Sequence, residues 1–164
     1  MMKLSFESIK IFLKIGKRPI KKIAFIDGDQ PIPTLINAYE NHLKGTDSEI
    51  HFVRQSSAGL APKAVRSKMQ GVNVILLGGY STGKEVVDKF IAGYIQRAVC
   101  EGYEEITVVS SDYDFIDIFK MAVKINAVAG TIKFRLVIPQ ANGKTLDLPE
   151  QLFNIEIIKS NDQN

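Results

Sequence analysis

The sequence predicts an α/β domain: a doubly wound, mainly parallel sheet of Rossmann-like type with helices on both faces. Three observations predict it. The runs at 23–26 and 74–77, Ile-Ala-Phe-Ile and Val-Ile-Leu-Leu, are apolar at consecutive positions, the pattern of strands covered on both faces. Such runs alternate with helical patterns, as parallel strands joined by crossovers require. Several runs end in turns bearing Asp or Gly, where this class of fold places its ligands.

The first run, 22–27, ends on an acid, Asp27, with a turn at Gly28. Pro31 and Pro33 then open a helix to about Leu43, because proline is preorganised for a first helical turn. Leu35, Ile36, Tyr39 and Leu43 fall on one face of it. Residues 49–54 alternate and predict a strand, 56–59 a loop, and 60–70 a short helix carrying Lys63, Arg66 and Lys68. A second fully apolar strand at 73–77 leads into the loop 78–83. A long helix follows from Lys84 to about Glu101, with Val87, Phe90, Ile91, Tyr94, Ile95 and Ala98 on its buried face. A third apolar strand spans 105–110. Asp112 is placed to cap a helix reaching about Ile125, and strands at 131–138 and 154–158 complete the chain. No repeat, low-complexity tract or linker interrupts it.

With 164 residues, 45% hydrophobic and 24% charged, the chain can bury a core, which excludes disorder for most of it. The net charge of +3 permits a polyanionic partner without requiring one. The single cysteine, Cys100, excludes an intrachain disulfide and a cysteine-based zinc site. It sits in an apolar helical pattern and is expected to be a buried thiol. Only His42 and His51 could serve a catalytic cysteine, and neither lies near a cysteine signature. No segment is long and apolar enough for a membrane span or built like a signal peptide, so cytoplasmic residence is the expectation. In the N-terminal 22 residues, Leu4, Ile9, Phe12 and Leu13 recur at helical spacing among Lys3, Lys10, Lys14 and Lys17. This reads as an amphipathic helix packed on the domain or as a basic arm for RNA or a membrane. The expected layout is a basic segment over 1–20, one domain over 21–159, and a frayed tail over 160–164.

Two strand-end turns carry paired acids: Asp27-Gly28-Asp29 and Asp112-Tyr113-Asp114. Carboxylates brought together from separate strands repel, and a bound divalent cation is the usual compensation. Each acid also has a plainer reading: Asp27-Gly-Asp29 as a turn, Asp112 as a helix cap, Asp88 on a solvated helix face.

Taken together, Asp27-Gly-Asp-Gln30, Lys84-Glu-Val-Val-Asp88 and Ser110-Ser-Asp-Tyr-Asp-Phe115 resemble the NYN domains of the PIN-like nuclease superfamily. The resemblance covers about residues 22–140, and its most specific part is the last motif. The family pattern is an Asp-Gly-x-Asn turn, a Lys-x-x-Asp helix start and a Ser-Gly-Asp-x-Asp-Phe turn. This chain departs from it with Gln30 for Asn, Ser111 for Gly, and one more residue between Lys84 and Asp88. The resemblance implies a PIN/NYN-type three-layer sandwich that hydrolyses RNA with Mg²⁺ or Mn²⁺. It implies Asp27 and Asp112 as central ligands, with Asp88 and Asp114 completing the catalytic site and Asp29 as a further ligand candidate. Ser110 and Gln30 would orient a phosphate or water. Lys22, Lys63, Arg66, Lys68 and Lys84 are candidates for contacts to the RNA backbone. Single-stranded RNA is the expected partner, with Tyr80 and Tyr113 on loops suited to base stacking. Oligomeric state is open, a homodimer included.

Three other readings stand beside the nuclease. The stretch from Gly78 to Glu85 is one residue from a Walker A phosphate loop, but it has Glu85 where Ser or Thr should ligate magnesium. Asp27-Gly-Asp29 after a strand also resembles the first motif of haloacid dehalogenase phosphatases, in which the first Asp is a nucleophile. A domain that kept the NYN-like fold without catalysis would be an RNA- or protein-binding module.

Overall fold

The computed structural model describes residues 20–55, 63–78, 85–125, 131–139 and 154–160. Its centre is β1 (Lys22–Asp27), buried at every position after the first. The chain continues through α1 (Ile32–His42), β2 (Glu49–Gln55), α2 (Lys63–Lys68), β3 (Asn73–Leu77), α3 (Val86–Cys100) and β4 (Glu105–Val109). It then passes through α4 (Asp114–Ile125), β5 (Lys133–Ile138) and β6 (Ile155–Lys159). The six strands form one sheet in the order β3-β2-β1-β4-β5-β6, and every neighbouring pair is parallel. The chain therefore winds outward from β1 to β3, returns to place β4 on the other side of β1, and winds outward again. The direction reverses between β1 and β4, and that is the switch point of a doubly wound fold.

The alternation of side chains along β1 splits the interior into two cores. Ile23 and Phe25 face one core, where Ile91 and Ile95 of α3 and Phe115 and Phe119 of α4 meet Ile106 and Phe134 of the sheet. Ala24 and Ile26 face the other, where Leu35 and Tyr39 of α1 and Val65 of α2 meet Phe52. Apolar residues at consecutive positions are thus each used, one per layer. The same logic corrects the reading of β2. Its residues 50–53 do not alternate but are all buried, because β2 lies between β1 and β3 and is covered on both faces.

Two other expectations are overturned. β3 was expected to be covered on both faces, but it is an edge strand, and Val74 and Leu76 are 40% and 39% exposed. Only Ile75 and Leu77 pack on a core. Cys100 is exposed rather than buried. It ends α3, where Ala98 and Val99 take the buried positions, and the helical stripe has rotated past it. Among the described residues, no helix is long and apolar enough to cross a membrane. Of the expected basic segment 1–20 and tail 160–164, residues 1–19 and 161–164 lie outside the described residues.

A candidate acidic site at the carboxyl edge of the sheet

Asp27 ends β1 at the switch point and is only 3% exposed. Burying a carboxylate is costly unless donors surround it, and three do. The Asp29 backbone N–H donates to Oδ1 at 3.1 Å. The Gln30 amide donates to Oδ2 at 3.0 Å, and the Ser110 hydroxyl donates to the same oxygen at 2.9 Å. Burial pushes the Asp27 pKa above the usual carboxylate range, and these hydrogen bonds oppose the rise.

Gly28 lets the chain leave β1 tightly against β2. Its N–H donates to the Val53 carbonyl at 2.7 Å. A Cβ at this position would lie 2.7 Å from that carbonyl oxygen and equally close to the Phe52 ring. Glycine is required here by close approach rather than by an unusual dihedral angle.

Across the switch point, Ser110 follows β4 and is fully buried. Its hydroxyl accepts from the Asp112 N–H at 3.1 Å while donating to Asp27. Asp112 in turn accepts, on Oδ1, the Asp114 N–H at 2.8 Å, closing the first turn of α4 as the sequence predicts. The cap and the candidate ligand are therefore the same carboxylate.

Asp88 lies in the first turn of α3 and is partly buried. Its pKa is pushed up to about 6, first by burial and then by the negative charges of Asp27, Asp112, Asp29 and Glu85. Side chains from two separate turns and one helix start therefore share a single electrostatic environment. Asp114 is exposed and is not among the charges that act most on Asp88. Glu85 was not anticipated as part of the group, and it also pairs with Lys89 at 3.0 Å.

The donor set is oxygen only, which suits Mg²⁺ or Mn²⁺. Among the described residues, no three acidic, histidine or cysteine side chains converge closely enough to hold one ion together. Asp27 has already accepted three hydrogen bonds of the roughly four that its two oxygens can take. A divalent ion at these residues would have to be largely hydrated, held by one or two carboxylates and its own waters rather than by a closed protein cage.

The expected cations are distributed unevenly. Lys22 starts β1, at the opposite end of the sheet from the acids, and pairs with Asp47 at 3.2 Å, so it is not a site residue. Lys63, Arg66 and Lys68 are exposed on α2. That helix runs back from the carboxyl end of β2 to the amino end of β3, which puts Lys63 nearest the acidic edge and Lys68 farthest from it. Lys84, Tyr80 and the rest of the glycine-rich loop at 79–84 lie outside the described residues.

Beside the acids, a cleft of about 440 Å³ opens at the ends of β1 and β2. Asp29, Gln30, Pro31, Ile32, Arg54 and Gln55 line it. Arg54 and Gln55 were not singled out from the sequence. Their position at the carboxyl end of a parallel strand was the available signal. Compared with known proteins, the chain matches no protein-family model and no curated protein.

Proposed function

We propose that this chain is a divalent-metal-dependent ribonuclease that hydrolyses phosphodiester bonds of single-stranded RNA at the carboxyl edge of β1 and β4. The observation that carries the proposal is the gathering of the acids: burial first, and then the charges of Asp27, Asp112, Asp29 and Glu85, hold Asp88 near a pKa of 6. Carboxylates that repel one another at a switch point favour a cation, and perturbed carboxylates cluster at functional sites. Asp27 and Asp112 would hold the ion, with Asp88 and Asp114 contacting its waters. When bound, Mg²⁺ or Mn²⁺ polarises a phosphoryl oxygen and acidifies a coordinated water.

The chain's own residues supply the remainder. Ser110 and Gln30 fix the Asp27 carboxylate in one orientation. Asp88, ionised for the most part at pH 7 yet close to its pKa, takes the proton of the attacking water on a carboxylate oxygen. Water oxygen bonds to phosphorus as the bond to the leaving ribose oxygen breaks, and that oxygen takes up a proton from solvent to leave as a hydroxyl.

The test is cleavage of single-stranded RNA by purified protein with Mn²⁺. Asp27→Asn and Asp112→Asn should each lower the rate at least about a hundredfold, the scale on which loss of a preorganised charge acts. Unchanged rates in both variants would overturn the reading. The binding-module alternative draws on one observation, the nearly complete hydrogen bonding of Asp27. RNA affinity that is independent of metal, with no cleavage, would favour it. The same hydrogen bonding speaks against Asp27 as a phosphatase nucleophile, which needs an open oxygen.

A further inference from the structure

The two edges of the sheet are built differently. At β6, Glu156 pairs with Lys133 and Arg135 of the neighbouring strand, and Lys159 ends the strand. Charges of this kind keep an edge from pairing with a second chain. β3, at the other edge, has no such protection: Asn73-Val-Ile-Leu-Leu77 carries neither a charge nor a proline. Among the described residues, no strand pairs with its outer side. An edge of this kind presents a row of backbone donors and acceptors that only another extended segment can pair in full. The side chains repeat the contrast. Val74 lies beside Phe52 in register, and Leu76 follows it on the same face. Phe52 is fully buried in the core beneath α1 and α2, whereas Val74 and Leu76 are exposed. Ile75 and Leu77 project to the opposite face and pack on the other core.

We infer that β3 is a self-association edge: two copies of this chain pair β3 with β3, antiparallel, about a two-fold axis through Ile75. Centred there, the pairing sets Val74 opposite Leu76 of the partner subunit and Asn73 opposite Leu77 of the partner subunit. Each exposed apolar side chain gains an apolar neighbour, and no like charges meet. A strand from another protein would need a matching pattern to do the same, whereas a second copy supplies it by symmetry. The occupant is therefore the chain itself. The pairing runs along the outer strand, away from Asp27 and Ser110 at the switch point, so the inference goes beyond the nuclease reading and does not depend on it. A junction of one short strand from each copy is smaller than the interfaces of permanent dimers, so association belongs in the micromolar to millimolar range.

Sedimentation equilibrium of the purified protein tests the association. The wild type should pass from monomer to dimer between micromolar and millimolar concentration. Val74→Lys and Leu76→Lys each replace a side chain that is already exposed, so the fold is retained, and each should weaken dimerisation at least about tenfold. Cross-linking tests the register, in protein whose exposed cysteine is removed by Cys100→Ser. On air oxidation, a mixture of the Val74→Cys and Leu76→Cys proteins should form the disulfide-linked heterodimer in preference to either homodimer, because opposed side chains lie closer than diagonal ones. A wild type that stays monomeric at millimolar concentration overturns the inference and leaves the edge to an extended segment of another protein. A dimer that both lysine variants leave intact, or cross-linking with no preference for the heterodimer, overturns it as well.

Discussion

The Ser110 hydroxyl donates to Asp27 Oδ2 at 2.9 Å across 83 residues of sequence, joining the turn after β4 to the end of β1. That bond spans the switch point, and Ser110 also accepts from the Asp112 N–H. One buried hydroxyl therefore sets the spacing between the two acids proposed as central ligands. Ser110→Ala removes both bonds and leaves the buried Asp27 carboxylate one donor short. The expected cost is about 1–3 kcal/mol in urea-unfolding free energy. The Asp27 pKa, followed by carboxyl-carbon NMR, should rise above its already raised wild-type value. A variant with unchanged stability and unchanged Asp27 titration would show that the bond contributes nothing.

Gly28→Ala tests the tight exit from β1. The new methyl would sit 2.7 Å from the Val53 carbonyl oxygen, and a backbone oxygen has little room to retreat within a sheet. The expected loss is about 1–3 kcal/mol, as for an overpacked core. The Gly28 N–H bond to that carbonyl would lengthen, and hydrogen exchange at Gly28 would quicken. Wild-type stability in the variant would mean that the turn can relax.

Asp88 makes stability depend on pH in an unusual direction. Its folded pKa, about 6, lies above its ordinary value of 3.8, so the fold favours the protonated form. The stabilisation from this group is complete below about pH 4 and is lost as pH rises through 6. The side chain is only partly buried, so screening reduces the effect to on the order of 1 kcal/mol. Other carboxylates, among them Glu49 and Glu156, have lowered pKa values and act in the opposite sense on acidification. The informative quantity is therefore the difference between wild type and Asp88→Asn. The variant should be the more stable at pH 7 and equal to wild type at pH 4. Mn²⁺ at pH 7 should raise the wild-type melting temperature by offsetting the same repulsion, and Asp27→Asn should abolish that rise.

How much of this was legible in the sequence follows from which signals are local. Asp27 was legible because an apolar run stopped on an acid before a glycine, and strand ends are where this fold keeps its ligands. Asp112 was legible as a cap from its place before a helical pattern. Strand order was not legible. The run at 73–77 is as apolar as that at 23–26, yet one is the sheet's edge and the other its centre, and only the crossovers decide which. The apparent alternation at 49–54 failed for the same reason, since position in the sheet determined burial. Arg54 and Gln55 were missed because ordinary polar residues at a strand end acquire meaning only when a cleft forms beside them. Glu85 joined the acids through the direction of α3, which no local pattern specifies.

Asp112 holds two roles in one carboxylate, and two substitutions separate them. Asparagine caps a helix about as well as aspartate, because its side-chain oxygen also accepts the backbone N–H. Asp112→Asn should therefore keep the bond from the Asp114 N–H and be at least as resistant to urea as the wild type, since it also relieves repulsion on Asp88. Asp112→Ala should lose that bond and about 1 kcal/mol of stability. Both remove the negative charge that helps raise Asp88, so in both the Asp88 pKa should fall from about 6 towards its ordinary value. If the charge of Asp112 holds the metal, both variants lose Mn²⁺-dependent RNA cleavage to the same extent despite their different stabilities. If Asp112 is only a cap, Asp112→Asn cleaves at the wild-type rate and only Asp112→Ala is impaired. Cleavage rates measured well below the unfolding midpoint of the weaker variant distinguish the two.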